Sequence, residues 1–195
     1  MRRLIGTLYS LATIALLATP NNAALAASCA DVTLPDQVDV DGTSLELNGL
    51  GLREATIFAV EVYVAGLYLE SKTSDAKQVI ESEQKKRLHL RFVRDLDRDD
   101  ITGAWEEGFE KNAGNDLPKY KERVAKLNGW MTEVTEGQSL TFTYRPGAGV
   151  EVDTNGTVRG VVEGQDFAQV FFAIWFGPEP PNSGLKSGLL GGTCG

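Results

Sequence analysis

The chain has 195 residues, a formal net charge of −8 and a single histidine. That length holds one good core, so one domain is expected. The acid excess excludes the clustered Lys and Arg that grip nucleic acid and argues against docking on anionic lipid. Two cysteines and one histidine, with no zinc-type spacing and no Cys-X-X-Cys pair, give no reason to expect a metal or other cofactor.

Met1-Arg2-Arg3 is a short basic start, Leu4 to Leu17 is mostly apolar, and Ala24-Leu25-Ala26 ends the stretch in small residues. This is the layout of a secretory signal peptide over residues 1–26, and the apolar run is short for a membrane span. Cleavage after Ala26 would leave residues 27–195 as one periplasmic or secreted domain, with no membrane span in the mature chain. A retained anchor is the other reading. Cys29 and Cys194 then stand near the two ends of the mature chain. In an oxidising compartment such a pair closes as a disulfide. Lipidation of Cys29 is a second reading, although Ala26 stands three residues before it, where a bacterial lipobox usually has Leu. Two free thiols is the third.

Val32 to Val40 and Ser44 to Leu47 alternate apolar and polar residues around Asp41-Gly42, which reads as a β-hairpin. Gly49-Leu50-Gly51-Leu52-Arg53 follows, read as a glycine turn presenting one arginine, and then a long strand from about Ile57 to Leu69. Ser74 is the expected cap of a helix running to Glu83. Arg87 to Val93 alternates, with Leu88, Leu90 and Phe92 inward and Arg87, His89 and Arg91 on the surface. Ile101, Ala104, Trp105, Gly108 and Phe109 share one helical face, capped by Asp99 or Asp100. Pro118 opens a further helix whose inner face carries Leu117, Tyr120, Val124 and Leu127, ended by Asn128-Gly129. Leu140 to Tyr144 is a strand. Val150 to Asp153 and Thr157 to Val162 flank Asn155-Gly156, a strong hairpin signal. Asp166 to Phe176 is apolar almost all round and predicts a buried helix. Pro178 to Gly195, rich in Pro and Gly, reads as irregular. Strands, helices, strands and a helix in that order predict an α+β fold, an antiparallel sheet with helices packed on one face.

An arginine ahead of an apolar strand is the chemistry to notice. A guanidinium at the mouth of a β-lined apolar space suits a carboxylate, phenolate or enolate on a small greasy molecule. Glu61 interrupts the strand without a nameable catalytic partner. The acidic run Asp95 to Asp100 is better explained by helix capping than by calcium, since EF-hand spacing is absent.

Three stretches, in order, resemble the chalcone isomerase fold family, and in particular its exported bacterial chalcone-isomerase-like branch. They are Gly51-Leu52-Arg53 with Val62-Tyr63-Val64-Ala65-Gly66-Leu67-Tyr68-Leu69-Glu70; Phe92-Val93-Arg94-Asp95-Leu96 with the helices through Tyr120; and Pro146-Gly147-Ala148-Gly149-Val150 with the hairpin ending Val158-Arg159-Gly160. The resemblance implies an open-faced antiparallel sheet, a cleft between sheet and helices, and no cofactor. Plant members close a chalcone to a flavanone, an arginine holding the oxyanion; other members bind fatty acids without catalysis, through an arginine and a tyrosine.

Arg53 matches the family arginine and Tyr120 the active-site tyrosine. Tyr63 stands where the catalytic enzymes have threonine, and Leu127 where they have asparagine, with Asn128 adjacent. Ile174 falls near their second hydroxyl residue. The family lysine has no clear counterpart, Lys111 and Lys119 being only nearby. The anion holder survives while the ketone-positioning set is mostly apolar, which puts isomerisation in doubt. The resemblance therefore implies a non-catalytic binder of a small amphipathic carboxylate or phenolic ligand, fatty-acid-like, held by Arg53, Tyr63 and Tyr120. An isomerase (intramolecular lyase) using Arg53 and Tyr120 is the alternative. A structural or interaction protein whose cleft is filled by its own side chains is the third reading.

Overall fold

Alternating apolar residues make strands and three-to-four spacing makes helices, and the computed structural model, which describes residues 26–55 and 58–194, follows that division along most of the chain. β1 (Ala26–Cys29) and β2 (Val32–Pro35) form an antiparallel pair of their own. β3 (Gln37–Val40), β4 (Thr43–Ala55), β5 (Val60–Leu69), β6 (Lys86–Phe92), β7 (Ser139–Arg145), β8 (Gly149–Thr154) and β9 (Thr157–Glu163) form one antiparallel sheet in chain order. The helices are α1 (Ala76–Glu81), α2 (Arg98–Ala113), α3 (Leu117–Asn128), α4 (Gln165–Phe176) and α5 (Ser183–Leu189). The α+β fold with an open antiparallel sheet and helices on one side is as expected. Both predicted tight hairpins form: Asp41 and Gly42, like Asn155 and Gly156, take the paired positive φ angles that a two-residue turn between twisted strands demands.

Period-two alternation assigns each strand residue to a face. Tyr63, Ala65, Leu67 and Leu69 of β5 and Leu88, Leu90 and Phe92 of β6 turn to the helices. There they meet Phe167, Phe171, Phe172 and Trp175 of α4, all fully buried. Val64 and Tyr68 turn to the opposite face with Leu45, Leu47, Leu50 and Leu52 of β4, and the β1–β2 pair covers them through Cys29 and Leu34. The Tyr68 hydroxyl donates to the Pro35 carbonyl at 3.0 Å. A Cys29–Cys194 disulfide joins this small flap to the segment after α5. No helix among the described residues is long and apolar enough to cross a membrane.

Several local expectations change. The strand expected over Val32 to Val40 is broken at Asp36, whose carbonyl accepts from Leu47 N at 2.7 Å. Asp75, not Ser74, caps α1, its carboxylate accepting from the amides of Lys77 and Gln78. Asp97 is the N-cap of α2, and Asp99 and Asp100 sit in its first turn, where negative charge favours the helix dipole. The tail is not wholly irregular: α5 forms there because it buries Leu185 and Leu189 completely. Arg53 is not on a turn, since the whole Gly49–Arg53 stretch lies within β4. The strand predicted from Ile57 begins at Val60; Ile57 and the predicted leader, save its last residue Ala26, lie outside the described residues.

His89 points away from the helices as alternation requires, but it is half-buried rather than on an open surface, its Nδ1 2.9 Å from Thr141 Oγ1. Burial, reinforced by the charges of Arg91 and Arg87, pushes its pKa down from 6.5 to about 4. Between those values the unfolded chain binds more protons than the folded one. Stability from this group is therefore complete above pH 6.5 and is lost as pH falls toward 4. The loss should reach up to about 3 kcal/mol. Urea unfolding followed across that window should show the slope, and His89→Gln should remove it; an unchanged slope in the variant would assign it to other groups. Asp41 and Asp166, held below the usual carboxylate range by hydrogen bonds from Arg145 and Arg123, act at still lower pH.

Candidate functional site

The β4–β5 register places Arg53 opposite Tyr63, and the β5–β6 register places Tyr63 opposite Phe92. All three belong to strand positions that face the helices. Across from them runs α2, with Ile101, Trp105 and Gly108 on its inner stripe and Asp100, Ala104, Glu107 and Lys111 along the next one. α2 approaches α4 closely at Gly108, where a Cβ would sit 2.8 Å from Ile174 Cγ2. Glu179, Pro180 and Pro181, following α4, close the end. The cleft, open on one side to solvent, measures about 400 Å³, within the range of small-molecule sites.

The inner walls are mostly apolar or aromatic, and six charged side chains, Arg53, Arg94, Asp100, Glu107, Lys111 and Glu179, also line the cleft. Tyr63 is 6% exposed and its hydroxyl accepts a hydrogen bond from Trp175 Nε1 at 3.0 Å. Burial, opposed by that bond and by the Arg53 charge, pushes its pKa up to about 12. Tyr63 therefore stays a neutral phenol at physiological pH. Its oxygen already accepts, so its own hydrogen is available to another acceptor. Arg53 is half-buried, one Nη donating to the Glu54 carbonyl, and it has no ion pair among the described residues. Lys111 at the rim is matched by Glu107 at 2.5 Å; that contact lowers the carboxyl pKa and raises the ammonium pKa. Arg53 is thus a half-buried cation of the cleft with no ion pair among the described residues, its charge reaching Glu107 only at longer range.

The structure brings Arg53 and Tyr63 together and places Tyr120 elsewhere. Tyr120 lies on α3, packed edge-on against Phe167 with the Arg123 guanidinium 5.1 Å over its ring. The helix that lines the cleft is α2. Both helices carry an aromatic on the buried face, and spacing alone does not reveal which one crosses the Arg53 strand. Lys119 pairs with Asp116 outside the cleft. Ile174 does line it, as does Lys111. Trp105, which the sequence places on the apolar face of its helix, is both core and cleft wall.

Other hollows lack this combination. A larger one, about 830 Å³, lies beside the Asn48 bulge and is lined mainly by small and polar groups, with Lys72 already 4.0 Å from Glu46. Two more, about 390 and 620 Å³, adjoin the β1–β2 flap on the opposite face. Among the described residues no group of His, Cys, Asp and Glu is arranged to hold a metal ion.

No curated protein matches the sequence. The solved structure of a fatty-acid binding protein from Arabidopsis thaliana is similar in fold, with a TM-score of 0.65 at 17% identity, over 82% of this chain and 92% of that one. A family model described as chalcone isomerase-like matches residues 26–191, the whole sheet and its helices included. The protein belongs to the chalcone isomerase-like family.

Proposed function

We propose that the protein binds a small amphipathic anion with a fatty-acid-like body and does not transform it. The observation that carries this reading is Arg53, a half-buried and unpaired cation at one end of an apolar cleft, beside a hydroxyl that stays protonated. A carboxylate accepts hydrogen bonds and offers none, so donors alone suffice to hold it. The fold of the Arabidopsis fatty-acid binding protein supports a cleft of this type. The same donors would also steady an oxyanion, which keeps isomerisation as the second reading. Binding is preferred because the acids of the cleft stand at its rim and the histidine lies on the opposite face of the sheet. Export from the cytoplasm is part of the proposal, supported by the N-terminal sequence pattern and the Cys29–Cys194 disulfide.

The test is native mass spectrometry of the purified mature protein with organic extraction of bound molecules, followed by stearate titration. The expected result is a co-purifying acid and saturable stearate binding that Arg53→Ala weakens about 10- to 100-fold, the scale of one lost charged hydrogen bond. An empty protein that ignores stearate, or equal binding by the variant, would overturn the reading. Conversion of a chalcone to a flavanone would establish the isomerase instead.

A further inference from the structure

The face of the sheet turned away from the helices carries a charge arrangement that the Arg53 cleft does not use. The β1–β2 flap packs there on β4 and β5, Leu34 meeting Val64 and Tyr68. Past the edge of the flap, the strand registers set side chains of β6, β7 and β8 in line: Arg87, Thr143 and Glu151 in one line, His89, Thr141 and Asp153 in the next. The basic strand and the acidic strand are thus separated by a row of threonines, roughly 10 Å from backbone to backbone. Opposite charges on neighbouring strands would pair directly. Here Arg87 Nε donates to Thr143 Oγ1 at 2.9 Å, and His89 Nδ1 lies 2.9 Å from Thr141 Oγ1. Glu151 is matched by Arg145 at 2.9 Å. Asp153 accepts from Gly156 N at 2.7 Å through one oxygen and has no ion pair among the described residues; Arg87 has none either, and both are half-buried. Burial pushes the His89 pKa down to about 4, so the histidine is neutral at physiological pH and Arg87 is the cation of this floor. All these groups line one hollow of about 390 Å³, with Leu34, Pro35 and Val38 as an apolar wall beside Arg87.

A ligand with one charge is attracted by one side of this hollow and repelled by the other, whereas a molecule carrying both charges is attracted by both. We infer that the hollow is a second binding site, separate from the Arg53 cleft, for a small zwitterion: an α-amino acid with an apolar side chain. Arg87 takes the carboxylate, a group that guanidinium donors suit. Asp153 takes the ammonium. The apolar side chain lies against Leu34, Pro35 and Val38 of the flap and the segment after it. The inference is independent of the fatty-acid reading, since the two hollows lie on opposite faces of the sheet and share no residue.

The chain has a single histidine, so the His89 ring gives one assignable imidazole signal on the floor of the hollow. The experiment titrates the full mature protein with L-leucine, with isocaproate (leucine without its ammonium) and with isoamylamine (leucine without its carboxylate), following that signal by NMR. This comparison needs no variant to fold. Leucine should shift the His89 signal saturably and bind at least about tenfold more tightly than either analogue, the scale of one charged hydrogen bond. In Arg87→Met the preference for leucine over isoamylamine should vanish, and in Asp153→Asn the preference for leucine over isocaproate should vanish. Each variant is read as a ratio of two affinities, because a purely structural effect weakens both ligands together. A His89 signal that leucine leaves unmoved, leucine bound no more tightly than its single-charge analogues, or a preference that survives in both variants would overturn the site. Stearate titration of the same proteins reads the Arg53 cleft separately, and its outcome bears on that reading alone.

Discussion

Reducing the Cys29–Cys194 disulfide, or replacing both residues by alanine, is expected to lower the unfolding free energy by about 5 kcal/mol. The cross-link spans a sequence separation of 165 residues, nearly the whole described chain. In the chain-entropy account the stabilisation grows with the logarithm of loop length, so a link between the ends sits near the top of the usual 2–5 kcal/mol range. A local effect should accompany the global one. β1 and β2 are four residues each and pair only with each other. A lone two-stranded hairpin is marginal in water, so this pair depends on docking Cys29 and Leu34 over Leu47, Leu50, Val64 and Tyr68 and on the covalent tie. Urea unfolding of the oxidised and reduced protein measures the first effect. Amide exchange measures the second, the β1–β2 amides losing protection well before those of β5 and β6. A reduced protein within 1 kcal/mol of the oxidised one would show that the unfolded chain gains little freedom when the link opens.

The elements read most easily from sequence are those in which local chemistry and tertiary packing demand the same thing. Asp41-Gly42 and Asn155-Gly156 adopt the turn that their backbone permits, and α4 is largely buried because only Gln165, Asp166 and Gln169 along it are polar. Arg53 and Tyr63 could be linked because they lie on either side of one hairpin and face one way. What stayed hidden depends on distant partners. α5 has a Pro/Gly-rich neighbourhood and weak helical propensity, and only docking on β4 makes it a helix. The two glycines of β4 look like a turn because their real purpose, a close approach by α5, involves residues far along the chain. His89 looks exposed by alternation, and Leu34, from the flap, lines both hollows that adjoin it. Trp105 and Tyr120 have the same local signature, an aromatic on the inner stripe of an amphipathic helix. Which helix lines the cleft is settled by the order of layers and not by either sequence. The Trp105 N–H, buried without an acceptor among the described residues, has no sequence signal at all, since an orphaned donor is defined by what surrounds it.

Gly49→Ala should cost about 3–5 kcal/mol, far more than a methyl group on a strand ordinarily does. A Cβ at this position would sit 2.1 Å from the Gly188 carbonyl oxygen, 2.8 Å from Gly191 N and 2.9 Å from Leu189 O. All three are backbone atoms, so no side-chain rotation relieves the overlap. The approach is tight from the other side as well: a Cβ at Gly188 would lie 2.2 Å from the Leu50 carbonyl. α5 has to lift, and lifting it exposes Leu185 and Leu189, each worth about 1.5–3 kcal/mol when buried. It also pulls the Leu189 carbonyl away from Asn48 Nδ2, a 2.7 Å bond within a polar staple that holds the Thr73 amide at 2.8 Å and its carbonyl at 3.0 Å. Gly103→Ala supplies the contrast. That glycine is on the exposed side of α2 with nothing within 4 Å of a Cβ, and alanine there should stabilise by up to about 1 kcal/mol through helix propensity. Urea unfolding of the two variants should therefore give changes of opposite sign, and limited proteolysis should cut Gly49→Ala within residues 183–192 while sparing the wild type. A Gly49→Ala protein as stable as wild type would mean that α5 does not rest on β4 at this distance. The segment Glu179–Pro181 that closes the cleft leads directly into α5. The same variant should therefore weaken stearate binding from a position that touches no part of the ligand.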